Sequence, residues 1–390
     1  MDKLKQRLKQ ADWWEITYLI IYGAVFTFEF LNTTMFEVKW PPKFAYIFLA
    51  STALYVIAKF IWHNTYTKKE MIWAGIILFA FLMPALLTEY RFLWYTGFLI
   101  VGAKNIDFDK ILKVYLVIGI TIMVAAFGAS QMGWIENLEF TIYRGDQTLI
   151  QNSFGMIYHT DFAAHVFYLS VAAICLAEDK ITIGKVINFV LLALFILDKC
   201  AARTSFICLM LMAFVVFIIK VTKKRINGAI IYRLVNCAMF ILAGLFIVLT
   251  YMYNPVREWI VKLDTTLSGR LGISYQAITE YDYKLFGQNI VEQGWGRGGE
   301  VTEYFFLDDS YIRIALMYGV VLFFMVLIMF FLSGVKAIQT KRILVLAGIV
   351  VIALHSFMEH HLIEIAYNPF LCYLLADSIE KEKMEVSNVS

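Results

Sequence analysis

The chain is built from apolar runs of membrane length, and these runs limit what it can fold into. Hydrophobic residues make up 61% of its 390 residues and charged residues 17%, whereas soluble domains are about half apolar and a quarter charged. An α-helix needs roughly twenty apolar residues to cross about 30 Å of hydrocarbon. The sequence therefore predicts an all-α polytopic membrane protein and excludes a soluble globular one.

About twelve runs qualify as candidate spans. They are Trp13–Leu31, Lys43–Trp62, Met71–Thr88, Phe92–Ala103, Ile111–Gln131, Asp161–Ala177, Val186–Leu197, Thr204–Lys220, Leu234–Tyr253, Ser310–Leu332, Ile343–Phe357 and Leu362–Ala376. The fourth and seventh are short, so we expect them to be tilted, broken or enclosed by protein. This partition predicts nine spans within 1–253, one large polar loop at 254–309, three spans within 310–376 and a tail at 377–390.

The basic residues of the short loops predict the orientation of the spans. Lysine and arginine occupy alternate loops, for example Lys68 and Lys69, Lys180 and Lys185, and Lys341 with Arg342. Basic loops are retained in the cytoplasm, so both termini are expected inside and the 254–309 loop outside. The basic residues are scattered through the loops, which argues for the lipid bilayer and against a nucleic acid as partner. The basic N-terminal lead has no small-residue cleavage site, so no signal peptide is expected.

The predicted orientation excludes chemistry that depends on cytoplasmic nucleotides. An enzyme with its polar loop outside has to act on a substrate that is already activated in the membrane. Neither a GxxxxGK[ST] phosphate loop nor a strand-framed GxGxxG is present. The five cysteines form no CxxC pair, so they are expected to be packing residues, and no cofactor is predicted.

Three arginines at the predicted outer face suggest an anion site. Arg203 begins a span, Arg270 lies between Gly269 and Gly272, and Arg297 lies in a glycine-rich loop. A guanidinium offers a planar fork of donors that suits phosphate or diphosphate. The alternatives are an ion pair between Arg203 and its neighbour Asp198, and solvated loop arginines at the other two positions.

Carboxylates and histidines supply candidates for acid–base work. Asp308 and Asp309 precede an apolar run, where one carboxylate can cap the helix and the other can accept a proton from a hydroxyl. His159, at the rim of a span, is a candidate for touching substrate or serving as the base. Asp161 and His165 are four residues apart on one helical face, which fits a structural pair and a substrate contact equally well.

The segment "HSFMEHHLIE" places His355 and Glu359 on one helical turn, followed by two further histidines. It lacks the HExxH pattern, so a polar turn between two spans is expected and no metal is predicted. Glu303 is a further substrate-binding candidate in the large loop. Sugar stacking is an option for aromatic residues there, with loop packing as the alternative; they are Tyr281, Tyr283, Trp295, Tyr304 and Tyr311.

Taken in order, several short segments resemble the O-antigen polymerase and ligase superfamily, the Wzy-type membrane glycosyltransferases of the GT-C class. The segments are "GMIYHTD", "ARTS", "SGRL", "LFGQNIVEQGWGR" and "DDSYIRIALMYGVV". Each is weak alone, but their order and their spacing relative to about twelve spans follow that superfamily. The resemblance implies a GT-C-like fold and an enzyme that acts outside the bacterial cytoplasmic membrane on undecaprenyl-diphosphate-linked oligosaccharides, without metal or nucleotide.

The resemblance also implies roles for individual residues. Arg203 and Arg270 match the arginines that hold the donor diphosphate, with Arg297 or Arg144 assisting. Asp308 stands where ligases of the superfamily have a histidine, which favours a repeat-unit polymerase over a ligase. Asp308, Asp309 or His159 would then act on the acceptor hydroxyl. The substrate-binding candidates are Asp161, Glu303, Tyr311, His355 and Glu359.

A chain-length regulator is a further partner that a polymerase would have. Two other functions stay open at this stage. One is a ligase that transfers finished glycan to another acceptor, and the other is a lipid-linked oligosaccharide flippase or carrier. Carriers tend to have repeated halves and binding residues near the bilayer midplane, whereas this chain has no evident repeat and gathers its polar candidates at one face.

Overall fold

The fold is known from a computed structural model that describes residues 12–38, 41, 44–63, 66–144, 147–222, 229–299 and 301–378. The structure is mostly helical, with 72% helix and 4% strand. The helices are α1 (Trp13–Asn32), α2 (Phe44–Ala58), α3 (Lys68–Leu87), α4 (Phe92–Gly102), α5 (Phe108–Gln131), α6 (His159–Ala177), α7 (Ile183–Cys200), α8 (Arg203–Thr222), α9 (Ala229–Asn236), α10 (Ala238–Met252), α11 (Glu258–Thr266), α12 (Arg270–Glu280), α13 (Ser310–Arg313), α14 (Val320–Gln339) and α15 (Ile343–His355). The strands are β1 (Glu139–Arg144) and β2 (Gln147–Asn152).

Seven helical segments in the described ranges are long and apolar enough to cross a membrane. They are α1, α3, α5, α6, α8, α14 and the segment Phe44–His63, in which a π turn extends α2. Helices α4, α10 and α15 are apolar but shorter. The prediction of a helical membrane protein is confirmed at this level.

Side-chain caps explain where several of these helices begin. Asp12 accepts a hydrogen bond from the backbone of Trp14 at the start of α1 (3.0 Å). At the start of α3, Thr67 and Glu70 form a reciprocal capping box. Such caps satisfy backbone N–H groups that have no partner within the helix, so these polar residues set the helix boundaries between apolar runs.

The last apolar run, Leu362–Ala376, is not the helix that we predicted. Residues 356–378 form a mostly buried, irregular chain with two short 3₁₀ turns. Neighbouring helices bind its backbone: Tyr115 donates to the carbonyl of Tyr367 (2.6 Å), and the backbone of Asp377 bonds that of Ile106 (2.7 Å). Irregular backbone is tolerated at membrane depth when protein encloses it, and Pro369 disfavours a continuous helix here.

The helices define two ends of the molecule. We call the end that meets residues 254–309 the insert end; there Arg297 of the polar insert bonds Asn32, the last residue of α1 (2.8 Å). We call the opposite end the lysine end. Its cations include the buried Lys59 and the half-buried Lys336, which bond backbone carbonyls, and the buried Arg342, which pairs with Asp109 (2.7 Å).

The insert end holds more regular structure than a loop. The insert itself contains α11 and α12 and then an extended chain that leads to α13. An antiparallel hairpin, in which Glu139 pairs with Asn152, forms within the preceding 132–160 connection. The all-α prediction did not include this hairpin, although apolar and polar residues alternate along β1, as is typical of a strand with one covered face.

Candidate functional site

Arg270 is the first residue of α12 and points into the insert end. The cap before it is Gly269, whose φ of +82° is a conformation that glycine adopts without strain. The Nη2 atom of Arg270 lies 3.3 Å from Oδ2 of Asp308, and its Nε donates to the carbonyl of Met358 (3.5 Å). Burial lowers the pKa of Arg270, but Asp308 and Glu359 outweigh this effect and raise it. The guanidinium is thus a fixed, part-buried positive charge, with 17% of its side chain exposed.

The two neighbouring aspartates have different roles. Asp309 is the cap of α13: its Oδ1 accepts from the backbone of Ile312 and its Oδ2 from the hydroxyl of Ser274, both at 2.7 Å. It is fully buried, and burial raises its pKa to about 7. Both oxygens of Asp309 are therefore engaged in holding the structure.

Asp308 is the open member of the pair. Its Oδ2 faces Arg270 and accepts a hydrogen bond from Tyr304 (3.2 Å). Within the described residues its Oδ1 accepts no hydrogen bond, and 11% of the side chain is exposed. The alternative left by the sequence, a cap or a base, is resolved in favour of Asp309 as the cap.

An ion pair between the buried Arg313 and the half-buried Glu292 fixes the segment that carries both aspartates. Arg313 donates two hydrogen bonds to the carboxylate of Glu292, 2.6 and 2.8 Å long. The same guanidinium donates to the carbonyl of Leu307 (2.9 Å), and the backbone N–H of Leu307 donates to Glu292 (2.8 Å). This clamp holds the residue just before Asp308. The sequence analysis missed it because its members are 21 positions apart and carry no motif.

Glu359 is a buried carboxylate near Arg270 and Asp308. Only 4% of the residue is exposed, and its Oε2 has no hydrogen-bond partner in the described part of the chain. Burial raises its pKa to about 7, although Arg270 acts in the opposite direction. Asp161 lies close by, with its Oδ1 3.7 Å from Nε2 of His361. Of the two alternatives left open for Asp161 and His165, the structure does not show the pair, because His165 bonds Thr33 instead (2.8 Å).

His159 and Arg203 lie on neighbouring helices at the same end. The Nδ1 atom of His159 bonds the carbonyl of Cys200, the last residue of α7 (2.8 Å), and the ring is within electrostatic range of Arg270. Arg203, three residues beyond Cys200, begins α8 with an exposed side chain. Its expected partner Asp198 pairs with Lys199 (3.0 Å), so the structure does not show the ion pair considered as an alternative for Arg203.

Three other predicted residues lie in the segments that form the insert end. Arg297 is exposed; its Nη2 bonds the carbonyl of Asn32 and its backbone that of Ile157, so it docks the glycine-rich loop on α1 and on the segment before α6. Glu303 is exposed to solvent. Arg144 ends β1, and its side chain lies outside the described residues.

Two predicted substrate-binding residues are in the core. Tyr311 is fully buried, and its hydroxyl donates to the carbonyl of Ala353 (2.6 Å). His355 is also fully buried; its Nε2 meets the hydroxyl of Ser205 (3.1 Å), and its ring stacks on Phe167. Both positions correct the sequence analysis: the apolar faces of α13 and α15 turn these side chains inward, where a sugar cannot reach them.

Of the aromatic candidates, Tyr304 alone contacts the aspartates, through its bond to Asp308. Burial and the charge of Asp308 raise the pKa of its phenol, so it stays a donor. Tyr283 and Trp295 are 37% and 42% exposed, and Tyr281 packs against Phe305. Exposed rings of this kind are available for stacking but lie outside the contacts that define the site.

Histidines after α15 form a further group. One donor atom each from His360, His361 and Glu364 lies within 4.8 Å of the others. The sequence analysis predicted a polar turn and no metal here. That prediction used only the absence of a known metal-binding motif, since the fold of the turn cannot be read from the sequence.

Comparisons with models of known protein families, with curated proteins and with solved structures find no match. The chemistry of the site therefore has to be argued from its geometry. Arg270 offers a fixed positive charge, Asp308 a carboxylate with one open oxygen, and Tyr304 a hydroxyl donor. Together they can bind an anion and orient or deprotonate a hydroxyl beside it.

Proposed function

We propose that the protein is a glycosyltransferase that joins oligosaccharide repeat units carried on undecaprenyl diphosphate. In this proposal the chain has a GT-C-like architecture with about twelve membrane crossings, and the insert end faces outward from a bacterial cytoplasmic membrane. The observation that carries the proposal is that the two neighbouring aspartates have different contacts. Asp309 caps a helix, whereas Asp308 lies beside the guanidinium of Arg270 and has one oxygen that accepts no hydrogen bond from a described residue.

The proposed reaction is a single displacement at the anomeric carbon. A sugar hydroxyl of one lipid-linked unit attacks the anomeric carbon of the glycan on a second lipid. The new C–O bond forms as the bond to the diphosphate oxygen breaks, so the configuration inverts. The hydroxyl proton passes to Oδ1 of Asp308, and lipid diphosphate is the leaving group. The step is fast only if the acceptor hydroxyl, the carboxylate and the diphosphate are held in the right geometry before the bond breaks.

The arginines supply the electrostatic part of the proposal. The leaving diphosphate gathers negative charge in the transition state, where fixed positive groups are most effective. Arg270 is held by Met358 and Asp308 and cannot swing away freely. Arg203 is exposed at the start of α8, close to His159, and is free to meet the same diphosphate.

The contacts of Asp308 suit a carboxylate that orients a hydroxyl and accepts its proton. Arg270 and Tyr304 both contact Oδ2 of Asp308. These contacts fix the carboxylate and leave Oδ1 for the acceptor hydroxyl.

The test is a polymerisation assay with the purified chain in liposomes and synthetic lipid-diphosphate-linked repeat units. Arg270→Ala is expected to lower the rate by about 10²–10³-fold, the usual cost of losing one group that stabilises developing charge. Arg257→Ala is the matched control, because Arg257 is an exposed arginine of the same insert, and it should stay within about twofold. Unchanged glycan ladders in Arg270→Ala would refute the anion site.

The same assay separates the two other functions. A ligase would consume lipid-linked glycan only when a different acceptor is added, and it would make no ladder from repeat units alone. A flippase would move the labelled substrate across the bilayer without forming a glycosidic bond. Either result would replace the polymerase proposal.

A further inference from the structure

We infer that the turn after α15 is a binding site for a zinc-class divalent cation, with His360, His361 and Glu364 as its ligands. The inference does not depend on the proposed glycosyl transfer, since the ligands are separate from the Arg270–Asp308 pair. Three donors on one five-residue turn are enough for a metal that keeps a fourth position for water.

The distances between the donor atoms fit such an ion. Zinc holds histidine nitrogens and carboxylate oxygens at about 2.0–2.2 Å, so two ligands of a tetrahedral ion stand about 3.4 Å apart. Glu364 lies between the two rings, with Oε2 3.0 Å from Nδ1 of His361 and Oε1 3.7 Å from Nε2 of His360. The two separations involve different oxygens of Glu364, and one donor atom from each of the three residues lies within 4.8 Å of the others, so small side-chain rotations would bring them onto one ion.

A second observation concerns the hydrogen bonds of the two rings. Neither ring nitrogen of His360 makes a hydrogen bond to a described residue, although its Nδ1 is buried. His361 is fully buried; its Nδ1 is hydrogen-bonded to Oε2 of Glu364 (3.0 Å), and its Nε2, on the side of Asp161, has no hydrogen-bond partner in the described part of the chain. A ring without partners is uncommon in a folded protein, and a cation bound at Nε2 of His360 would supply one.

The local charge balance also favours a cation. Three carboxylates act on His361: Glu364, Asp161 and Glu359. Arg270, which also faces Asp308, offsets part of this charge at Glu359, and Arg313 is paired with Glu292. A cation at the turn would compensate buried carboxylate charge, which is costly where it is uncompensated.

The donor set selects the class of metal. Imidazole nitrogen suits zinc, copper, iron and nickel, whereas magnesium and calcium prefer an all-oxygen shell. The ion would tie together the turn that also presents the carbonyl of Met358 to Arg270. The ion would thus have a structural role and stabilise the fold of the insert end.

Metal content and spectroscopy test the inference without an activity assay. The full chain is purified in detergent with a histidine-free tag, stripped with chelator and dialysed against Zn²⁺ or Co²⁺. We expect one zinc per chain by elemental mass spectrometry, tetrahedral d–d absorption with Co²⁺, and a Tm that rises with Zn²⁺. His360→Gln and Glu364→Gln should lose all three responses, whereas His63→Gln, a histidine at the lysine end, should keep them.

Two outcomes would overturn the inference. The first is folded parent protein that retains no zinc and gives no Co²⁺ absorption. The second is equal zinc in the parent and in His360→Gln, which would mean an adventitious ion only. Should Glu364→Gln fail to fold, the Co²⁺ spectrum of the parent and the His360→Gln variant still decide the question.

Discussion

The two ends of the molecule treat buried charge in opposite ways. At the lysine end, Lys59 donates to the carbonyl of Gly102 (3.0 Å), Lys336 to that of Tyr373 (3.0 Å), and Arg342 pairs with Asp109 (2.7 Å). At the insert end, Glu359 and His361 each keep a buried polar atom that has no hydrogen-bond partner among the described residues. The cations named at the lysine end all have a partner, whereas the insert end keeps a buried carboxylate oxygen without one.

The difference lies in which charged groups have partners. Buried polar groups in proteins are nearly always bonded; among the described residues the ammonium groups of Lys59 and Lys336 follow this rule, whereas Oε2 of Glu359 does not. Single unbonded atoms occur at the lysine end too, for example Nδ1 of His63. A cavity of about 400 Å³ does lie at the lysine end, but its charged lining includes the close pair of Lys104 and Glu70 (2.7 Å). The presence of a cavity is therefore a weaker guide to function here than the pairing of the charges.

The largest effect on stability is expected from breaking the clamp at the insert end. Arg313→Leu leaves Glu292 as a half-buried carboxylate without its partner, which costs about 3–5 kcal/mol. The free energy of unfolding, measured by denaturant titration in detergent, should fall by that amount. Arg257→Leu, at an exposed position, should change it by less than about 0.5 kcal/mol. A loss below 1 kcal/mol for Arg313→Leu would mean that the clamp is not formed.

A smaller loss is expected at the lysine end, without loss of function. Lys336→Met removes a charged donor from the carbonyls of Tyr373, Leu374 and Ala376. Hydrogen bonds to charged groups contribute about 1.5–3 kcal/mol, so unfolding should become easier by that amount. Transfer per folded molecule should match the parent, as measured in the liposome assay normalised to folded protein. A lower rate per folded molecule would show that the lysine end contributes to transfer as well as to stability, against the distinction drawn between the two ends.

The smallest effect is a change in how stability depends on pH. Glu359 has a folded pKa of about 7, raised by burial, whereas an unfolded glutamate titrates near 4.3. Between these values the folded state binds more protons, so stability falls as the pH rises from about 4 to 7. Glu359→Gln removes this contribution and should be the more stable form at pH 8, by on the order of 1 kcal/mol.

Thermal unfolding of parent and variant from pH 5 to pH 8 measures this difference directly. Asp309, whose pKa is also about 7, remains in both proteins, so the comparison isolates Glu359. Its charged neighbours, Arg270, Asp308, His361 and Asp161, are unchanged as well. Parallel Tm profiles for the two proteins would show that Glu359 is solvated or paired.

The sequence predicted most of the helices because apolar runs of membrane length have few other structures available. It failed at Leu362–Ala376, where the same hydrophobicity reflects burial inside protein and not contact with lipid. The hydroxyl of Tyr115 and the ammonium of Lys336 supply donors to this irregular backbone. These donors come from distant helices, so a local pattern cannot reveal them.

The site was predictable only in part, for a similar reason. Arg270 and Asp308 stood out as polar residues in an apolar chain, and the structure brings them to 3.3 Å. The cap could not be assigned to one aspartate from the sequence, since both precede the apolar run; in the structure Asp309 accepts from the backbone of Ile312, and its other oxygen is held by Ser274, 35 positions away. Tyr311 was a reasonable substrate-binding candidate by its position in the sequence. The structure excludes it because its side chain lies on the buried face of its helix.

The most direct test of the account compares the two aspartates in the polymerisation assay. Asp309→Asn keeps an oxygen that can cap α13, because asparagine caps helices as well as aspartate does; its rate should stay within about tenfold of the parent. Asp308→Asn keeps the shape but cannot accept the acceptor proton, so its rate should fall by about 10²–10⁴-fold. If Asp308→Asn polymerises at the parent rate, or if Asp309→Asn alone is inactive while folded, the central claim is contradicted.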